Sequence, residues 1–421
     1  MMDFSLSEKV RRRIKDILPE AMQIRHQIHS FPETKFEEQK TMALIRGFLS
    51  GGKIELLEPM IGTDTVGLLR GEMPGPTVLL RADIDALPLE EASGKDWRST
   101  IPGKAHSCGH DGHTSMLLAA AKVLEESTEE LAGNVRFVFQ PAEEEIGGGK
   151  ALVGKDLLDL APRPDVAFAL HGWSDLGLGM VSGAPGPTIA AADSFMVTVR
   201  GKGGHGGQPH KTADPIVAAA QAISSIQTIV SRWVDPLKPA VVSVCTIRGG
   251  YSRNVIPEEV VFEGTVRYFD KDLQTFIRDK MDSIVGGACA SGGCTYTLDF
   301  LEGYIPMVND SGAVSAARSI IAEALGAGVW TDDHPPSMAT EDFAYYLNRI
   351  PGCLLRLGLG TDWPPLHSPE FDFNDDALET GIAVLVSLAL GYGKMSSAAQ
   401  KTANAKNEAL AQYEMRSSPG T

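Results

Sequence analysis

Short apolar runs alternate with amphipathic helical patterns in both the first and the last part of the chain. Residues 8–50 carry apolar side chains, such as Ile14, Ile17 and Ile28, near helical spacing. Runs rich in aliphatic residues predict strands at 77–83, 134–140, 165–171 and 353–359. Helical patterns predict helices at 113–126 and around 343–347. Strands that alternate with helices favour an α/β fold with a mostly parallel sheet that is covered on both faces.

The middle of the chain has a different order of elements. Strands are predicted at 194–200, 240–247, 259–268 and 294–300, and helices at 214–233 and 271–288. This order, βαββαβ, is ferredoxin-like and complete in itself. We therefore predict a domain of residues 189–302 inserted into a discontinuous α/β domain of residues 1–188 and 303–393. The remaining residues, 394–421, form a polar, Ala-rich tail that is expected to be a frayed helix or disordered.

Composition narrows the class of protein. A chain of 421 residues with 43% hydrophobic and 22% charged residues is typical of a soluble protein of two or three domains. The net charge of −16 argues against nucleic acid and anionic membrane surfaces as partners. No apolar stretch of membrane-spanning length and no signal-peptide pattern is found, and the five cysteines are irregularly spaced. These features predict a cytoplasmic protein.

Residues 106–113 concentrate metal-binding side chains. The segment contains His106, Cys108, His110, Asp111 and His113. A mixed set of nitrogen, sulfur and oxygen donors suits a borderline transition metal, although a His-rich surface loop is the simpler alternative. Because the predicted helix follows directly, its dipole is expected to favour a thiolate at Cys108. His106 and His113 are the weaker candidates, since a histidine at the start of a helix can equally cap it or pack.

Further candidates lie where the predicted strands end. Asp83 and Asp85 end the first strand, a run of three carboxylates follows the second, His171 closes the third, and His367 lies in a loop after the fourth. Active sites of doubly wound sheets lie outside the carboxyl ends of the strands, so these residues are expected to converge. Each also has an ordinary structural explanation, such as a strand-end aspartate or a solvated glutamate pair. Two adjacent glutamates can provide one metal ligand and one general base.

Nine short motifs resemble, in content and order, those of the M20 metallopeptidase superfamily. They are RADIDALPLEE, HSCGHDGHTSMLL, FQPAEE, ALHG, GKGGHGGQPH, RNVIPEE, GTVR, ATEDFAYY and LHSPEFDF, spread over roughly residues 15–390. The chain is similar to the amidohydrolase branch, which includes hippurate hydrolases, N-acyl-amino-acid aminoacylases and auxin-conjugate hydrolases. The resemblance implies an enzyme that uses two divalent metal ions, zinc, manganese, cobalt or nickel, to hydrolyse N-acyl amino acids to a carboxylic acid and an amino acid.

The resemblance also implies roles for individual residues. The implied metal ligands are Cys108, His110, Glu144, His171 and His367, with Cys108 bridging the two ions and Glu143 acting as general base. Other branches have His-x-Asp where this chain has Arg81-Ala-Asp83, and arginine cannot bind a cation. The Cys108/His110 pair is expected to replace the missing ligand. Asp83 is expected to orient a metal-bound histidine without binding a metal ion itself. Because Glu145 makes a third carboxylate, base and ligand could instead be Glu144 and Glu145.

The inserted domain resembles the family's lid and dimerisation domain. His205 matches a histidine that stabilises the oxyanion, Asn254 matches a position that contacts substrate, and a homodimer or higher homo-oligomer is implied. A dipeptidase or carboxypeptidase of the same superfamily is the main alternative function.

The sequence leaves two more distant alternatives. A dinucleotide-dependent oxidoreductase is suggested by a G-x-G-x-x-G match at residues 201–206, but no acidic residue follows at the required distance. A non-catalytic metal-binding member of the family would keep the donors without the reaction.

Overall fold

The computed structural model describes residues 3–145, 147–332 and 335–395. The strands predicted from the sequence occur there in the predicted order, together with further elements that were not predicted. The helices are α1 (Glu8–Ser30), α2 (Gln39–Leu49), α3 (His110–Glu125), α4 (Gly148–Gly154), α5 (Pro215–Ile226), α6 (Asp272–Ser291), α7 (Ser311–Leu325), α8 (Ala344–Leu347) and α9 (Asp375–Met395). The strands are β1 (Glu55–Leu56), β2 (Thr65–Arg70), β3 (Met73–Asp83), β4 (Ala132–Gln140), β5 (Val166–Trp173), β6 (Val181–Ser182), β7 (Gly186–Ile189), β8 (Ala191–Arg200), β9 (Gly204–His205), β10 (Ala240–Gly249), β11 (Val255–Ile256), β12 (Glu259–Tyr268), β13 (Thr295–Tyr304), β14 (Met307–Asn309), β15 (Trp330–Thr331) and β16 (Gly352–Gly358).

The chain divides into two units. Unit 1 comprises Met1–Gly186, Asn309–His334 and Tyr345–Thr421, and unit 2 comprises Pro187–Val308 and Pro335–Ala344. Unit 2 is longer than the predicted insertion, 189–302. Strand β13 ends only at Tyr304, most of β14 also belongs to unit 2, and residues 335–344 cluster with it as well. The predicted tail, 394–421, lies outside the described residues from position 396 onward.

Unit 1 contains an eight-stranded sheet in the order β1-β2-β4-β3-β5-β16-β6-β15. The four central strands, β4, β3, β5 and β16, pair in parallel. Every residue of β16 is buried, as are nearly all of β5, which is the pattern of strands covered on both faces. Phe137, Phe168 and Leu355 are fully inaccessible, and each such side chain contributes about 1.5–3 kcal/mol of hydrophobic stabilisation. The mostly parallel α/β fold predicted from the sequence is confirmed.

The parallel pairing brings the ends of the central strands to one edge. Asp83 at the end of β3 pairs with Gln140 at the end of β4, and Gly358 of β16 pairs with Trp173 of β5. Side chains that follow these strands therefore lie at the same edge of the sheet.

Helix α3 begins three residues earlier than predicted. It starts at His110 instead of residue 113, and the preceding Gly109 has a left-handed φ of 85°. That conformation is accessible to glycine at little cost and turns the chain into the helix. The apolar periodicity begins only at Met116, so it missed a first turn of polar residues that are buried in the structure. His110 is thus part of the helix rather than of the loop before it.

Helix α9 is, among the described residues, the one that is long and apolar enough to be tested as a membrane span. Its window has a mean hydropathy of 1.2, but 78% of that window is buried inside the protein. Val384, Val386 and Leu388 are fully inaccessible and belong to the core of unit 1. A buried core helix meets the same criteria of length and composition, so this one is weak evidence for a span.

Unit 2 contains a four-stranded antiparallel sheet in the order β10-β12-β8-β13. Helices α5 and α6 pack together and against this sheet, around a core that includes Val197, Phe262 and Ile277. The ferredoxin-like arrangement is the one predicted. The single helix predicted at 214–233 is wrong, because α5 ends at Ile226 and a π-helical turn, Ile229–Trp233, follows.

The glycine-rich segment at residues 201–206 does not have the context of a dinucleotide-binding loop. It leads from β8 into the short strand β9, and α5 begins only at Pro215. The dinucleotide fingerprint requires the glycine loop to open a helix. The structure therefore gives no support to the oxidoreductase alternative.

Candidate metal centre

His110, the first residue of α3, is held in one orientation with one nitrogen free. Its Nδ1–H donates to the carbonyl oxygen of Asp85 at 2.9 Å. Its Nε2 is buried and has no hydrogen-bond partner among the described residues. This nitrogen lies 3.8 Å from both Asp83 Oδ2 and Glu144 Oε1. A buried nitrogen whose ring is fixed by a bond from the other nitrogen is the usual state of a histidine metal ligand.

Cys108 and His171 face one another. The Cys108 Sγ lies 3.6 Å from His171 Nε2, and both residues are buried. His171 Nδ1–H donates to the carbonyl oxygen of Gly172 at 2.7 Å, so its Nε2 presents a lone pair toward the thiol. The two donors come from the loop before α3 and from the end of β5, and the parallel sheet brings them together.

The glutamate turn after β4 is held by Asp85. The backbone N–H of Glu144 donates to Asp85 Oδ2 at 3.0 Å, and Ala142 has a left-handed φ of 54°. Glu143 is buried, and one carboxylate oxygen from each of Glu143 and Glu144 lies within 4.8 Å of the other and of a His110 nitrogen. Asp85 therefore orients His110 and the glutamate turn together.

His367 is the most exposed member of the donor cluster, with 54% of its side chain accessible. Its backbone N–H donates to the carbonyl oxygen of Ser107 at 2.7 Å, and its φ is 64°. Its Nε2 lies 3.2 Å from Glu144 Oε1, and donor atoms of Cys108, Glu144 and His367 all lie within 4.8 Å of one another. The loop thus carries His367 to the same cluster as the donors near the sheet.

His113 belongs to one group of possible metal donors, together with Asp83, His110 and His171, but hydrogen bonds occupy both of its ring nitrogens. Its Nδ1–H donates to Asp83 Oδ1 at 2.6 Å, and its Nε2 accepts the backbone N–H of Gly172 at 2.8 Å. Asp83 also accepts a hydrogen bond from Arg81 Nη1 at 2.5 Å. His113 and Arg81 thus hold Asp83 beside His110 from behind the donor cluster. His106 is buried with both ring nitrogens lacking a partner among the described residues, and no cluster of possible metal donors includes it.

Several buried carboxylates surround the donor atoms of His110 and Cys108 and shift their pKa values. Although burial lowers it, the nearby Asp83, Asp85 and Glu144 raise the pKa of His110 to about 10. Burial and the carboxylates of Glu144 and Glu143 raise the pKa of the Cys108 thiol well above its usual range. The protein alone therefore favours the neutral thiol at Cys108, in contrast to the thiolate predicted from the helix dipole. A bound cation would lower the pKa values of both His110 and Cys108.

The residues fit divalent metal ions. The donors are a thiol, imidazoles and a carboxylate, which borderline transition metals bind, and all except His367 are largely buried. His110 Nε2 has no partner within the described residues. The same negative field that raises the proton affinity of His110 and Cys108 favours a multiply charged cation in their place. Glu145, in contrast, is half exposed and its carboxylate lies 3.2 Å from Lys35 Nζ.

His205 and Asn254 lie beside one another in unit 2. Strands β9 and β11 pair, with His205 opposite Val255, and the N–H of Gly206 donates to the carbonyl oxygen of Asn254 at 2.8 Å. Both side chains are exposed. His205 Nδ1 accepts the N–H of Gly207 at 3.0 Å, which leaves Nε2 available. The structure thus brings the two residues together on one surface of unit 2.

Comparison with known proteins identifies the family of the chain. Residues 79–391 match the profile of peptidase family M20/M25/M40. The chain belongs to this family. A solved M20 structure, the dinuclear metal-binding peptidase YXEP of Bacillus subtilis, is 32% identical, superposes with a TM-score of 0.78 and is aligned over 89% of this chain and 98% of its own. The chain is therefore a metal-dependent hydrolase.

Several relatives in the family align over most of their length. The putative amidohydrolase YhaA of Bacillus subtilis is 35% identical, covering 93% of this chain and 99% of the relative. Thermostable carboxypeptidase 2 of Saccharolobus solfataricus is 35% identical over 92% of this chain and 99% of its own. N-acyl-L-amino acid amidohydrolase of Geobacillus stearothermophilus is 40% identical over 72% of this chain and 81% of its own.

Asp85 lies two residues beyond the end of β3, and no role was predicted for it beyond its place near a strand end. The structure shows that its carbonyl oxygen fixes His110 and its carboxylate holds the N–H of Glu144. The D-x-D spacing was a usable signal, because both carboxylates lie where a strand of the parallel sheet ends.

Proposed function

We propose that this enzyme hydrolyses the amide bond of N-acyl amino acids, with Cys108, His110, Glu144, His171 and His367 as the ligands of two divalent ions. The observation that carries the proposal is the cluster of largely buried donors at one edge of the sheet, with a further buried glutamate beside it. The amidohydrolases among the relatives favour an acylated amino acid as substrate. The approach of Cys108 to both His171 and the Glu144/His367 group supports its role as the bridging ligand.

The protein's own residues would divide the work as follows. Bound divalent ions supply Lewis acidity, which polarises the amide carbonyl and lowers the pKa of water. Glu143 accepts the proton of the attacking water and returns it to the leaving nitrogen, which contributes about 10²–10⁴ in rate. Asp85 holds His110 and the Glu144 backbone in place, and Asp83 is fixed behind them by His113 and Arg81. The ion pair of Glu145 with Lys35 favours Glu143 and Glu144 as the base and ligand.

Unit 2 would supply substrate contacts. We assign His205 to the oxyanion and Asn254 to the substrate, in line with the family resemblance. The proximity of His205 on β9 to Asn254, which directly precedes β11, supports a joint role. Unit 2 would also form the interface of a homodimer, and the enzyme would act in the cytoplasm. Zinc, manganese, cobalt and nickel all suit the donor set.

A substrate and metal screen tests this function. Metal-free protein is reconstituted separately with zinc, manganese, cobalt or nickel and assayed with N-acetyl, N-benzoyl and longer-acyl amino acids, and in parallel with dipeptides and N-blocked peptides. Preferred turnover of the acyl amino acids is expected. Preferred turnover of the peptides would assign the carboxypeptidase or dipeptidase activity, which the carboxypeptidase relative keeps as the second candidate.

Substitution of the glutamates tests the assignment of the base. Glu143→Gln should lower kcat by about 10²–10⁴ while the metal content stays unchanged, because the residue moves a proton without binding an ion. Glu145→Gln is the matched control and should retain full turnover. Full turnover in Glu143→Gln with loss in Glu145→Gln would instead assign the Glu144/Glu145 pair.

A further inference from the structure

Two cationic side chains of α1 are completely buried outside the donor cluster. Arg25 and His29 are both 0% exposed. They lie one helical turn apart on the same face of α1, which packs against α3. No motif singled out in the sequence includes them. We call this pair the cationic clamp.

Arg25 contacts carboxylates from two separate segments of the chain. Its Nη1 donates to Asp372 Oδ1 at 2.6 Å and to Asp111 Oδ2 at 3.2 Å. Its Nε lies 2.5 Å from Asp375 Oδ1, so a third carboxylate completes the surroundings. The indole N–H of Trp97 also donates to Asp372 Oδ1, at 3.1 Å. One guanidinium therefore ties the first turn of α3 to the segment that leads into α9.

His29 holds Asp111 from a second side. Its Nδ1 lies 2.8 Å from Asp111 Oδ2 and its Nε2 lies 3.2 Å from Glu91 Oε1. Although burial and the charge of Arg25 lower it, Asp111 and Glu91 raise the pKa of His29 to about 9. At neutral pH both ring nitrogens therefore carry protons and donate to carboxylates.

The carboxylates in the clamp belong to the segments that carry proposed ligands. Asp111 directly follows His110, and it is three residues from Cys108. Asp372 lies five residues after His367 in the same connection. These two segments are joined at the backbone by the hydrogen bond from His367 N–H to Ser107. The clamp is thus a second link between them, made through charged side chains on a third element.

A buried guanidinium is a costly way to fill space. Removing such an ion from water costs several kcal/mol, and apolar residues of similar volume often stabilise a fold equally well. What the guanidinium offers is a rigid planar fork that fixes the positions of its carboxylate partners. Partners of this kind are important for metal sites, because the groups behind the ligands set ligand orientation.

We propose that Arg25 and His29 are positioning residues for the metal centre, and that through Asp111 and Asp372 they fix the spacing of Cys108 and His110 relative to His367. The inference depends on the ligand assignment of the proposed function. It extends that assignment to side chains that touch neither the ligands nor the substrate.

Cobalt binding tests the clamp without using turnover. Arg25→Met, Arg25→Lys and His29→Gln are loaded with Co²⁺, and stoichiometry, affinity by chelator competition and the visible absorption spectrum are measured. Arg25→Met should lose about 10–100-fold in affinity for at least one ion and show an altered cobalt spectrum. Arg25→Lys keeps the charge without the fork and should recover part of the affinity. His29→Gln should show a smaller loss in affinity.

The control is Arg13→Met, on the same helix, where the arginine makes a partly exposed ion pair with Glu126 at 2.7 Å. It should leave cobalt binding unchanged. Circular dichroism of each metal-free variant identifies those that fold. If Arg25→Met does not fold, Arg25→Lys and His29→Gln decide, and a folded variant of either with wild-type affinity and spectrum would overturn the proposal.

The cobalt-binding result can be distinguished from a failure of the proposed function. A parent protein that binds two cobalt ions but does not hydrolyse N-acyl amino acids would refute the substrate assignment and leave the cobalt comparison valid. A parent protein that binds no cobalt would refute the ligand assignment and the clamp together.

Discussion

At the scale of single residues, Glu38 connects the start of α2 to the glutamate turn. It is completely buried, and it accepts the hydroxyl of Thr63 at 2.8 Å and the backbone N–H groups of Phe36 at 3.0 Å and Ala142 at 3.1 Å. Ala142 immediately precedes Glu143 and has a left-handed backbone. Burial raises the pKa of Glu38 to about 7 despite these hydrogen bonds. The folded protein therefore favours the neutral carboxyl.

The raised pKa of Glu38 sets how the stability of the fold changes with pH. A folded pKa raised above that of the unfolded chain gives stability that is fully present below the unfolded pKa and is lost as pH rises through about 7. Glu38→Gln, which stays neutral, should therefore be more stable than the parent at pH 8, by about 1–3 kcal/mol, with a smaller gap at pH 5. Urea unfolding of the metal-free proteins at both pH values measures this gap. Glu145→Gln serves as the exposed control, and a gap that does not widen with pH would contradict the prediction.

Residue identity in the sequence was enough to nominate candidate metal donors, but not to tell which of their ring nitrogens are engaged in hydrogen bonds. His110 and His113 lie three positions apart on one helix, and the sequence favoured His110 only by its spacing from Cys108. The structure distinguishes them by hydrogen bonds, since Asp83 and the Gly172 N–H occupy both nitrogens of His113. Those bonds join segments far apart in the chain, so no local pattern could predict them.

At the scale of elements, the first turn of α3 packs closely on the segment before α9. A Cβ at Gly112 would overlap the ring carbons of Phe373, and the same ring lies within 6.1 Å of the His113 ring by their centroids. Phe373 is fully buried. This contact explains why the helix has a glycine at this position. It also fixes how closely the first turn of α3, which includes His110, approaches Phe373.

Gly112→Ala should therefore destabilise the protein by about 1–3 kcal/mol, because the new methyl group forces the Phe373 ring or the helix to move. Weaker cobalt binding should accompany the loss, since His110 shares the displaced turn. Thermal unfolding and cobalt titration measure the two effects. The double variant Gly112→Ala/Phe373→Leu should recover part of both.

Gly287→Ala in α6 is the matched helical control, because a Cβ there meets no atom within 4 Å. That variant should be neutral or more stable by up to about 1 kcal/mol, as expected from helix propensity alone. Equal destabilisation at both positions would remove packing against Phe373 as the cause.

Strand and helix positions were largely predictable, whereas their ends depended on packing. The strand predicted at 259–268 has those bounds in the structure, because its apolar and β-branched residues are bounded by a turn at each side. The start of α3 was missed because its first turn is polar and becomes buried only through contacts with α1 and Phe373. Helix α7 was not predicted at all, since its Ala-rich sequence has a weak apolar pattern.

At the scale of the whole molecule, the proposed ligands come from four separate stretches of unit 1. They follow β4, lie near the end of β5, lie in and just before the first turn of α3, and lie in the loop after β16. An ion that joins these stretches binds only the folded chain and therefore stabilises it. The order of βα elements predicted this convergence, because parallel strands bring their carboxyl ends to one edge.

Metal removal should lower the thermal unfolding temperature. At a free metal concentration 100-fold above Kd, one site contributes about 2.7 kcal/mol, which chelation removes. Differential scanning calorimetry with and without a chelator measures the shift. Cys108→Ala should lose most of the shift, and Cys245→Ala, at an exposed cysteine, should retain it. An identical unfolding temperature in both conditions for the parent protein would contradict metal-linked stability.

The insertion of unit 2 has a consequence for biosynthesis. The chain leaves unit 1 at Gly186, after Cys108, His110, Glu144 and His171, and re-enters it at Asn309, before His367. Because synthesis is vectorial and domains fold as they emerge, the nascent chain carries four of the five proposed ligands long before the last one leaves the ribosome. A translation product that stops before position 367 cannot assemble the complete centre, so full metal occupancy reports that the ribosome has read past the loop after β16.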